Sequence, residues 1–218
     1  IWNEIEKSLF CARDPFGIKP FYYFLDNESF LFSSESKAIN SIINQNINQY
    51  AYSSYLFMNY VPGEMSIFKS IKKLHKGTYL KLYCDGRTIG RKYWNFEEKI
   101  CNTNLSFNDS AKLIEEKLNQ SVKLQLTSDV PVGIFLSGGF DSGLLTAISK
   151  NYIDDLHTYT VGFDDKIQVS EINIAKKLAK KYSTNHHEKI IESKNIINLL
   201  DKAISCLNEP VSDSAIVP

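Results

Sequence analysis

The sequence predicts an α/β fold in two parts, a β-rich α+β half followed by a doubly wound parallel sheet. In the first half, short aromatic or alternating runs are separated by turn residues, a pattern typical of antiparallel strands. In the second half, apolar runs alternate with amphipathic segments of helical period. Repeated βα units of this kind predict a parallel sheet, and ligands of such sheets bind at the carboxyl ends of the strands.

Residues 1–95 are predicted to form the β-rich domain. Its strands are placed at 9–13, 20–25, 29–33 and 77–83, with the first three arranged as a meander. Two helical segments lie between the third and fourth strands, one beginning at Ser34 and one covering 50–60. The aromatic side chains are interpreted as core. Arg13 and Asp14 are interpreted as a fold-stabilising pair rather than as catalytic groups.

Residues 96–109 are polar and rich in asparagine, and are interpreted as a linker. The linker ends in Ser106 and Asp109, which have the spacing of a capping box. One apolar stripe is predicted on the helix that follows: Ala111, Ile114, Leu118, Val122 and Gln125.

Residues 110–218 are predicted to form the second domain. Its strands are placed at 132–136, 158–162 and 186–191, and its helices at 142–150, 170–181 and 194–206. The first of these strands is a continuous apolar run, so we expect it to be buried on both faces.

The composition argues against several classes of protein. Basic and acidic side chains number 25 each among 218 residues, so the net charge is zero and a nucleic-acid partner is not expected. No apolar stretch is long enough to span a bilayer, and the first residues lack the pattern of a signal peptide. The four cysteines form no C-x-x-C pair, which favours a reducing, cytoplasmic setting without a zinc site. His186 and His187 are adjacent, so they point to opposite faces of a strand and are not expected to share a metal.

One glycine-rich loop carries groups suited to phosphate chemistry. It follows the predicted strand 132–136 and consists of Ser137, Gly138, Gly139, Phe140, Asp141 and Ser142. Two successive glycines let backbone N–H groups approach an anion, and the next helix adds the positive end of its dipole. The hydroxyls of Ser137 and Ser142 can donate to phosphate oxygens. A carboxylate beside phosphates is repulsive unless a cation lies between them, so Asp141 is predicted to position Mg²⁺, directly or through water.

The spacing of this loop differs from that of two common phosphate loops. No Gly-Lys-Ser/Thr follows it, which excludes a Walker A loop, and its adjacent glycines do not fit G-x-G-x-x-G. Five fixed positions recur by chance about once per million positions. We therefore interpret the loop as a phosphate-binding site rather than as a tight turn.

The loop resembles the S-G-G-x-D-S pyrophosphate loop shared by argininosuccinate synthetase, GMP synthetase and asparagine synthetase. The neighbouring motifs look like those of the asparagine synthetases: residues 128–133, 160–163, 170–171, 185–188, 208–210 and 213–214. In the first half, residues 12–20 and 32–35 resemble the end of the glutaminase domain of the same family. Because these motifs follow the family's order along nearly the whole chain, it is identified as a member of the glutamine-hydrolysing asparagine synthetase family.

This resemblance implies an N-terminal-nucleophile glutaminase domain followed by an ATP pyrophosphatase domain. In that family ATP activates aspartate as an acyl-adenylate with release of pyrophosphate, and ammonia from glutamine then displaces AMP to give asparagine. The implied cofactors are ATP and Mg²⁺, and the implied partners are these small molecules rather than nucleic acid or a membrane. The oligomeric state is left open, with a homodimer as one candidate.

The resemblance also implies site residues, carried over position by position. The implied ATP-binding residues are Leu136, Ser137, Gly138, Gly139, Asp141, Ser142 and Val161. The implied aspartate-binding residues are Glu209, Asp213 and Ser214, for which a purely structural role is an equal alternative.

Several positions depart from the pattern of the family. Its nucleophile is an N-terminal cysteine, whereas this chain begins with Ile1, and Cys11 lies inside a predicted strand and is interpreted as core. None of the glutaminase catalytic residues is therefore identified, and the family's second acidic loop would lie beyond Pro218. We expect an internal piece of a longer enzyme that catalyses neither half-reaction alone. Phe140 and Asn208 stand where leucine and aspartate are usual.

Two alternatives stay open. The first is an asparagine-synthetase-like amidotransferase that acts on another carboxylate, such as a sugar acid of a polysaccharide or a peptide. The second is a non-catalytic partner protein that retains the fold. The loop motifs do not separate these alternatives from asparagine synthesis.

Overall fold

The chain folds as two compact units. A computed structural model describes residues 1–100, 104–164, 166–213 and 216, with only the backbone of 166–170 and of Lys99 and Ser193. The first unit comprises Ile1–Asn102 together with Ser205–Ser214, and the second comprises Thr103–Ile204 together with Ala215–Pro218. The architecture is mixed α/β, and the described residues form two sheets in the first unit and one in the second.

Two antiparallel sheets organise the first unit. The larger sheet has the order β1-β2-β6-β7, and its strands are β1 (Trp2–Asn3), β2 (Ser8–Ala12), β6 (Thr78–Tyr83) and β7 (Thr88–Lys92). The smaller sheet has the order β4-β3-β5, and its strands are β3 (Tyr22–Leu25), β4 (Phe30–Ser33) and β5 (Lys72–Lys73).

The predicted meander is wrong for its first strand. β3 and β4 form the expected hairpin, but β2 pairs with β6 in the register Cys11↔Leu80. A strand far along the chain therefore takes the place predicted for a sequence neighbour, and the two parts of the meander lie in different sheets.

Two helices follow β4, as predicted, and both precede β5 of the same sheet. They are α1 (Ser36–Ile43) and α2 (Gln49–Met58). The Asn48 side chain accepts hydrogen bonds from the first backbone N–H groups of α2, which explains where this helix begins. Each helix ends at an asparagine in the left-handed conformation, Asn44 and Asn59, a conformation that asparagine tolerates better than most residues.

Cys11 lies in the core of the first unit, which confirms its interpretation. It packs with Leu74 and Leu80, and only 5% of its surface is exposed. Burial raises the pKa of the Cys11 thiol, so the reactive thiolate is disfavoured. The side chain therefore contributes packing rather than nucleophilic chemistry.

Arg13 and Asp14 stabilise the fold, but they do so through the backbone and not through each other. The Arg13 guanidinium donates to the carbonyl oxygens of Lys19, Leu74 and Gly17 at 3.0, 2.7 and 2.8 Å. The Asp14 carboxylate accepts from the N–H groups of Phe16, Ile18 and Lys19. Partial burial raises the pKa of Asp14, but these backbone donors lower it by more, so the pKa lies below its usual value.

Replacing Arg13 with methionine is expected to lower the free energy of unfolding of the first unit by about 2–3 kcal/mol, because three carbonyl groups lose a charged donor. Both tryptophans, Trp2 and Trp94, lie in this unit, so fluorescence during urea unfolding reports on it directly. Arg91→Met is the control, since Arg91 is exposed on β7. If the two variants unfold at the same midpoint urea concentration, the Arg13 contacts do not contribute to the stability of the first unit.

The second unit contains the predicted parallel sheet. Its order is β10-β9-β8, with β8 (Gly133–Phe135), β9 (His157–Phe163) and β10 (Asn185–Ile191). The helices are α3 (Phe107–Gln125), α4 (Phe140–Lys150), α5 (Lys166–Lys181) and α6 (Ile196–Cys206). Strands β8 and β9 run parallel in the register Gly133↔His157, and β9 and β10 in the register His157↔Asn185. The alternation of strands and helices is confirmed, although α5 begins four residues before its predicted start.

The prediction that the first parallel strand is buried on both faces is wrong. Phe135 is 78% exposed, while the next residue, Leu136, is fully buried. β8 lies at the edge of the described sheet, and the described residues cover only one of its faces. A continuous apolar run thus marks the strand correctly without establishing that both faces are packed.

The helix α3 begins as predicted and is only partly buried. The Ser106 hydroxyl accepts from the Asp109 N–H at 3.2 Å and contacts the Asp109 carboxylate at 2.7 Å, which confirms the cap. Val122 on the predicted stripe is buried, but Ile114 is 59% exposed. No helix among the described residues is long and apolar enough to cross a membrane.

Candidate functional site

The predicted ATP loop lies at the carboxyl edge of the parallel sheet. Leu136 continues the ladder beyond β8, since its N–H donates to the carbonyl oxygen of Tyr159 at 2.7 Å. The hydroxyl of Thr160, itself buried, donates to the Leu136 carbonyl. Leu136 packs on Ala175 and Ala179 of α5. The residue before the loop is therefore fixed by the strand, a side-chain hydroxyl and a helix.

Gly138 is required by the shape of the loop. Its φ is +81°, a region that residues with a side chain rarely adopt. A Cβ at this position would lie 2.7 Å from the carbonyl oxygen of Glu171 and 3.2 Å from the backbone nitrogen of Ala175. The loop backbone thus approaches the backbone of α5 as closely as atomic radii allow, and only glycine fits.

Gly139 has a different role. It is the N-cap of α4, with φ −74° and ψ 167°, which any residue can adopt. A Cβ here would meet only the Ser137 hydroxyl, at 3.3 Å. No side chain caps the helix, so the first N–H groups of α4 have no side-chain acceptor. Such a helix start favours an anion.

Two hydroxyl groups lie together inside the loop. Ser142 Oγ is 3.0 Å from Ser137 Oγ, accepts from the Ser137 N–H at 3.2 Å and lies 3.3 Å from the Gly139 carbonyl oxygen. The Gly139 N–H reaches Ser137 Oγ only at 3.4 Å. These bonds close the loop on itself, and both hydroxyls can turn to donate to an incoming phosphate.

Asp141 lies in the first turn of α4 and is exposed. Among the described residues, no group of three or more His, Cys, Asp or Glu side chains is arranged to hold a metal ion. Mg²⁺ is commonly held by one or two carboxylates together with substrate phosphates, so a single carboxylate beside a phosphate loop suits it. The residues present therefore fit a Mg²⁺ that arrives with the nucleotide.

Val161 lies on the part of β9 that extends beyond β8. Pairing between these strands ends at Phe135↔Tyr159, whereas β9 continues to pair with β10 through Val161↔Lys189 and on to the strand end. Val161 is half-buried. The structure thus brings the predicted ATP-binding residues to one edge of one sheet: Leu136, Ser137, Gly138, Gly139, Asp141, Ser142 and Val161.

Two of the three predicted aspartate-binding residues, Glu209 and Asp213, lie in the first unit. Glu209 is largely buried there, and its carboxylate contacts Lys73 and the Ile67 N–H. Asp213 is exposed, and Ser214 lies outside the described residues. Burial and the Glu209 charge raise the pKa of Tyr22. The assignment of this trio to substrate binding remains a prediction.

The adjacent histidines point to opposite faces of β10, as predicted. His186 faces inward and its Nδ1 lies 3.0 Å from the Thr158 hydroxyl, whereas His187 is exposed and its Nε2 lies 2.9 Å from His157 Nδ1. Burial lowers the pKa of His186, although Glu188 opposes the shift. The Nε2 of His186 is 3.3 Å from Glu188 Oε1, without the angles of a hydrogen bond.

The structural roles of three contributors to these sites were not predicted from the sequence. Thr160 supports Leu136 through its hydroxyl, and the Glu171 carbonyl lies against Gly138. Lys73 pairs with Glu209 across 136 residues of sequence. Thr160 and Glu171 lie in the motifs 160–163 and 170–171, to which the resemblance gave no such role, whereas no local pattern distinguishes Lys73 from Lys72.

Comparison with known proteins assigns both halves of the chain. A family model described as asparagine synthase matches residues 113–218, and one described as glutamine amidotransferase domain matches residues 1–94. These two matches follow one another in the same order as the two predicted domains.

Curated relatives match along nearly the whole chain. One from Methanocaldococcus jannaschii, provisionally named asparagine synthetase [glutamine-hydrolyzing] 2, is 36% identical over 98% of this chain and 42% of its own length. Asparagine synthetase [glutamine-hydrolyzing] 1 of Bacillus subtilis is 33% identical over 100% of this chain and 34% of its own length. Amidase chry2 of Gibberella zeae is 26% identical over 82% of this chain and 29% of its own length. The chain spans about two fifths or less of the length of each of these relatives. From the two family matches and these relatives, the chain belongs to the glutamine-hydrolysing asparagine synthetase family.

Proposed function

We propose that this chain is part of an enzyme that converts aspartate to asparagine with ATP and glutamine-derived ammonia. The observation that carries the proposal is the closed loop at 137–142, which is fixed at the carboxyl edge of a parallel sheet and opens α4. The names of the relatives and the two family matches support the same reaction.

In this proposal the loop holds the pyrophosphate part of ATP. The side-chain carboxylate of aspartate attacks the α-phosphorus, a bond forms between carboxylate oxygen and phosphorus, and pyrophosphate leaves. The free N–H groups at the start of α4 and the hydroxyls of Ser137 and Ser142 stabilise the negative charge on the leaving group. Mg²⁺, positioned by Asp141, would neutralise part of that charge. The backbone at Leu136 and Val161 would hold the adenine.

The second step uses ammonia. Its nitrogen attacks the acyl carbon of the adenylate, AMP departs with the bonding electrons, and the amide of asparagine remains after loss of a proton. In the family pattern this ammonia comes from glutamine hydrolysed by an N-terminal-nucleophile glutaminase. We infer that residues 1–95 are the last part of that domain, that 96–109 link it to the next, and that 110–218 begin a doubly wound ATP pyrophosphatase domain. The 218 residues alone are proposed to be inactive.

The chain is also similar to a relative that is named as an amidase and not as an asparagine synthetase, so a second candidate is an enzyme of the same family with a different carboxylate acceptor. The loop chemistry is identical in both cases, because only the carboxylate that attacks ATP differs.

Pyrophosphate release by a protein that completes this chain to the length of its relatives tests the proposal. We expect release that requires ATP and aspartate, and asparagine formation that requires glutamine or ammonium. Release with a sugar acid or a peptide but not with aspartate would support the second candidate. Absence of ATP binding would instead favour a non-catalytic partner protein and would overturn both.

A further inference from the structure

A buried ion pair in the first unit lies outside the predicted ATP site. Lys73 of β5 and Glu209 have side chains that are only 12% and 13% exposed, and Lys73 Nζ is 2.9 Å from Glu209 Oε2. Paired charges at this depth stabilise a structure only when further hydrogen bonds satisfy them. The other hydrogen bonds of Lys73 and Glu209 therefore determine whether the ion pair stabilises the first unit.

Both ends of the pair have additional partners. Lys73 Nζ also donates to the Val61 carbonyl at 2.7 Å, and the second oxygen of Glu209 accepts from the Ile67 N–H at 3.2 Å. Each carboxylate oxygen of Glu209 is thus occupied by a protein donor.

The residues around Glu209 are held by the same unit. The hydroxyl of Ser36, fully buried, donates to the Asn208 carbonyl at 3.0 Å, and Lys37 donates to the Ser205 carbonyl at 2.7 Å. On the other side of Glu209, the Ser212 N–H donates to the Asn59 carbonyl at 2.9 Å. Residues 205–213, which we call the anchored segment, are therefore held by hydrogen bonds along their length, with the Lys73–Glu209 ion pair near the middle.

We propose that Lys73 is a positioning residue, which holds the anchored segment through Glu209, and that Glu209 is an anchor rather than a ligand for aspartate. A carboxylate that received the ammonium group of a substrate would have to be accessible, whereas the Glu209 side chain is only 13% exposed and each of its oxygens already accepts from a protein donor. Asp213 is exposed and lies four residues after Glu209 in the anchored segment. Holding Glu209 in place therefore also fixes the position of Asp213. The part of this inference that concerns aspartate rests on the proposed function.

A double-mutant cycle separates an anchor from a substrate ligand. Lys73→Met leaves the Glu209 charge buried without its partner, and Glu209→Gln leaves the Lys73 charge in the same position. In the double variant neither charge remains, and the amide oxygen of Gln can still accept from Ile67. The Val61 carbonyl alone loses its donor.

Amide hydrogen exchange in residues 205–213 of the 218-residue chain is the first readout. We expect protection to fall at least about tenfold in each single variant and to return largely in the double variant. Lys72→Met is the matched control, because the neighbouring Lys72 is exposed on the same strand and should leave protection unchanged. Unchanged protection in both single variants would overturn the anchoring role.

The Michaelis constant for aspartate in the full-length protein is the second readout. An anchor predicts a raised constant in both single variants and recovery in the double variant, with the constant for ATP nearly unchanged. If the double variant recovers its exchange protection but keeps the raised constant of Glu209→Gln, Glu209 contacts the substrate and the inference is wrong. If the protein does not use aspartate at all, the exchange result still decides the role of Lys73, while the proposed function fails separately.

Discussion

Replacing Gly138 with valine is expected to reduce ATP-dependent pyrophosphate release at least about a hundredfold, a loss of ~3–4 kcal/mol of transition-state stabilisation by analogy with lost oxyanion donors. The first reason is the backbone, since a φ of +81° is strained for a β-branched residue. The second is steric, because the new Cβ would lie 2.7 Å from the Glu171 carbonyl oxygen. The loop must move away from α5, and its N–H groups no longer converge on the phosphates.

Gly139→Val is the informative comparison. At φ −74° and ψ 167° valine is unstrained, and its Cβ meets only a serine hydroxyl. We therefore expect the hydrogen-exchange protection of β9 and α4 to fall in the Gly138 variant and to remain in the Gly139 variant. Equal protection in the two would mean that the tight approach of the loop to α5 does not shape the site.

The Asp141→Asn substitution is expected to lower the turnover number by about 10²-fold and to raise the Mg²⁺ concentration needed for half-maximal rate. The physical reason is the loss of a carboxylate that would hold a divalent cation beside the phosphates, while the size of the side chain is kept. The fold should change little, because Asp141 is exposed. Pyrophosphate release measured over a series of Mg²⁺ concentrations checks this expectation.

Asp154→Asn serves as the control for charge alone, since Asp154 is exposed in the turn after α4. A normal Mg²⁺ dependence in the Asp141 variant, with a reduced rate, would indicate that Asp141 acts without the metal. An unchanged rate in both variants would remove Asp141 from the site.

The order and type of most elements could be predicted from the sequence, because period-two and helical patterns are local properties of the chain. Pairing partners were harder to predict. β2 contains a clear strand pattern, yet nothing within it specifies that β6 rather than β3 lies beside it. The exposed Phe135 shows the same limit, since an apolar run reveals what can be buried and not what covers it.

In the candidate site, too, residues that form a local pattern could be predicted, whereas long-range contacts could not. The residues of the loop are contiguous, so the cluster of glycines, hydroxyls and a carboxylate is visible in one stretch. Thr160 reaches Leu136 across 24 residues, and Lys73 reaches Glu209 across 136. In a sequence such as Lys72-Lys73 both lysines look like solvated charges, and only the folded chain shows that one of them is buried.

The anchored segment has a consequence for synthesis of the protein. The Ser36 hydroxyl donates to the carbonyl of Asn208, which lies 172 residues further along the chain. The first unit therefore completes its contacts only when this distant segment has been made. At translation rates of roughly 5–20 residues per second, the intervening Thr103–Ile204 takes roughly 5–20 seconds to make. During that interval the nascent first unit contains Lys73 without Glu209, while the sheet of the second unit is already being completed. The residues of the first unit that contact the anchored segment, among them Ser36 and Lys73, therefore reach their final environment only after the three strands of the second unit have been synthesised.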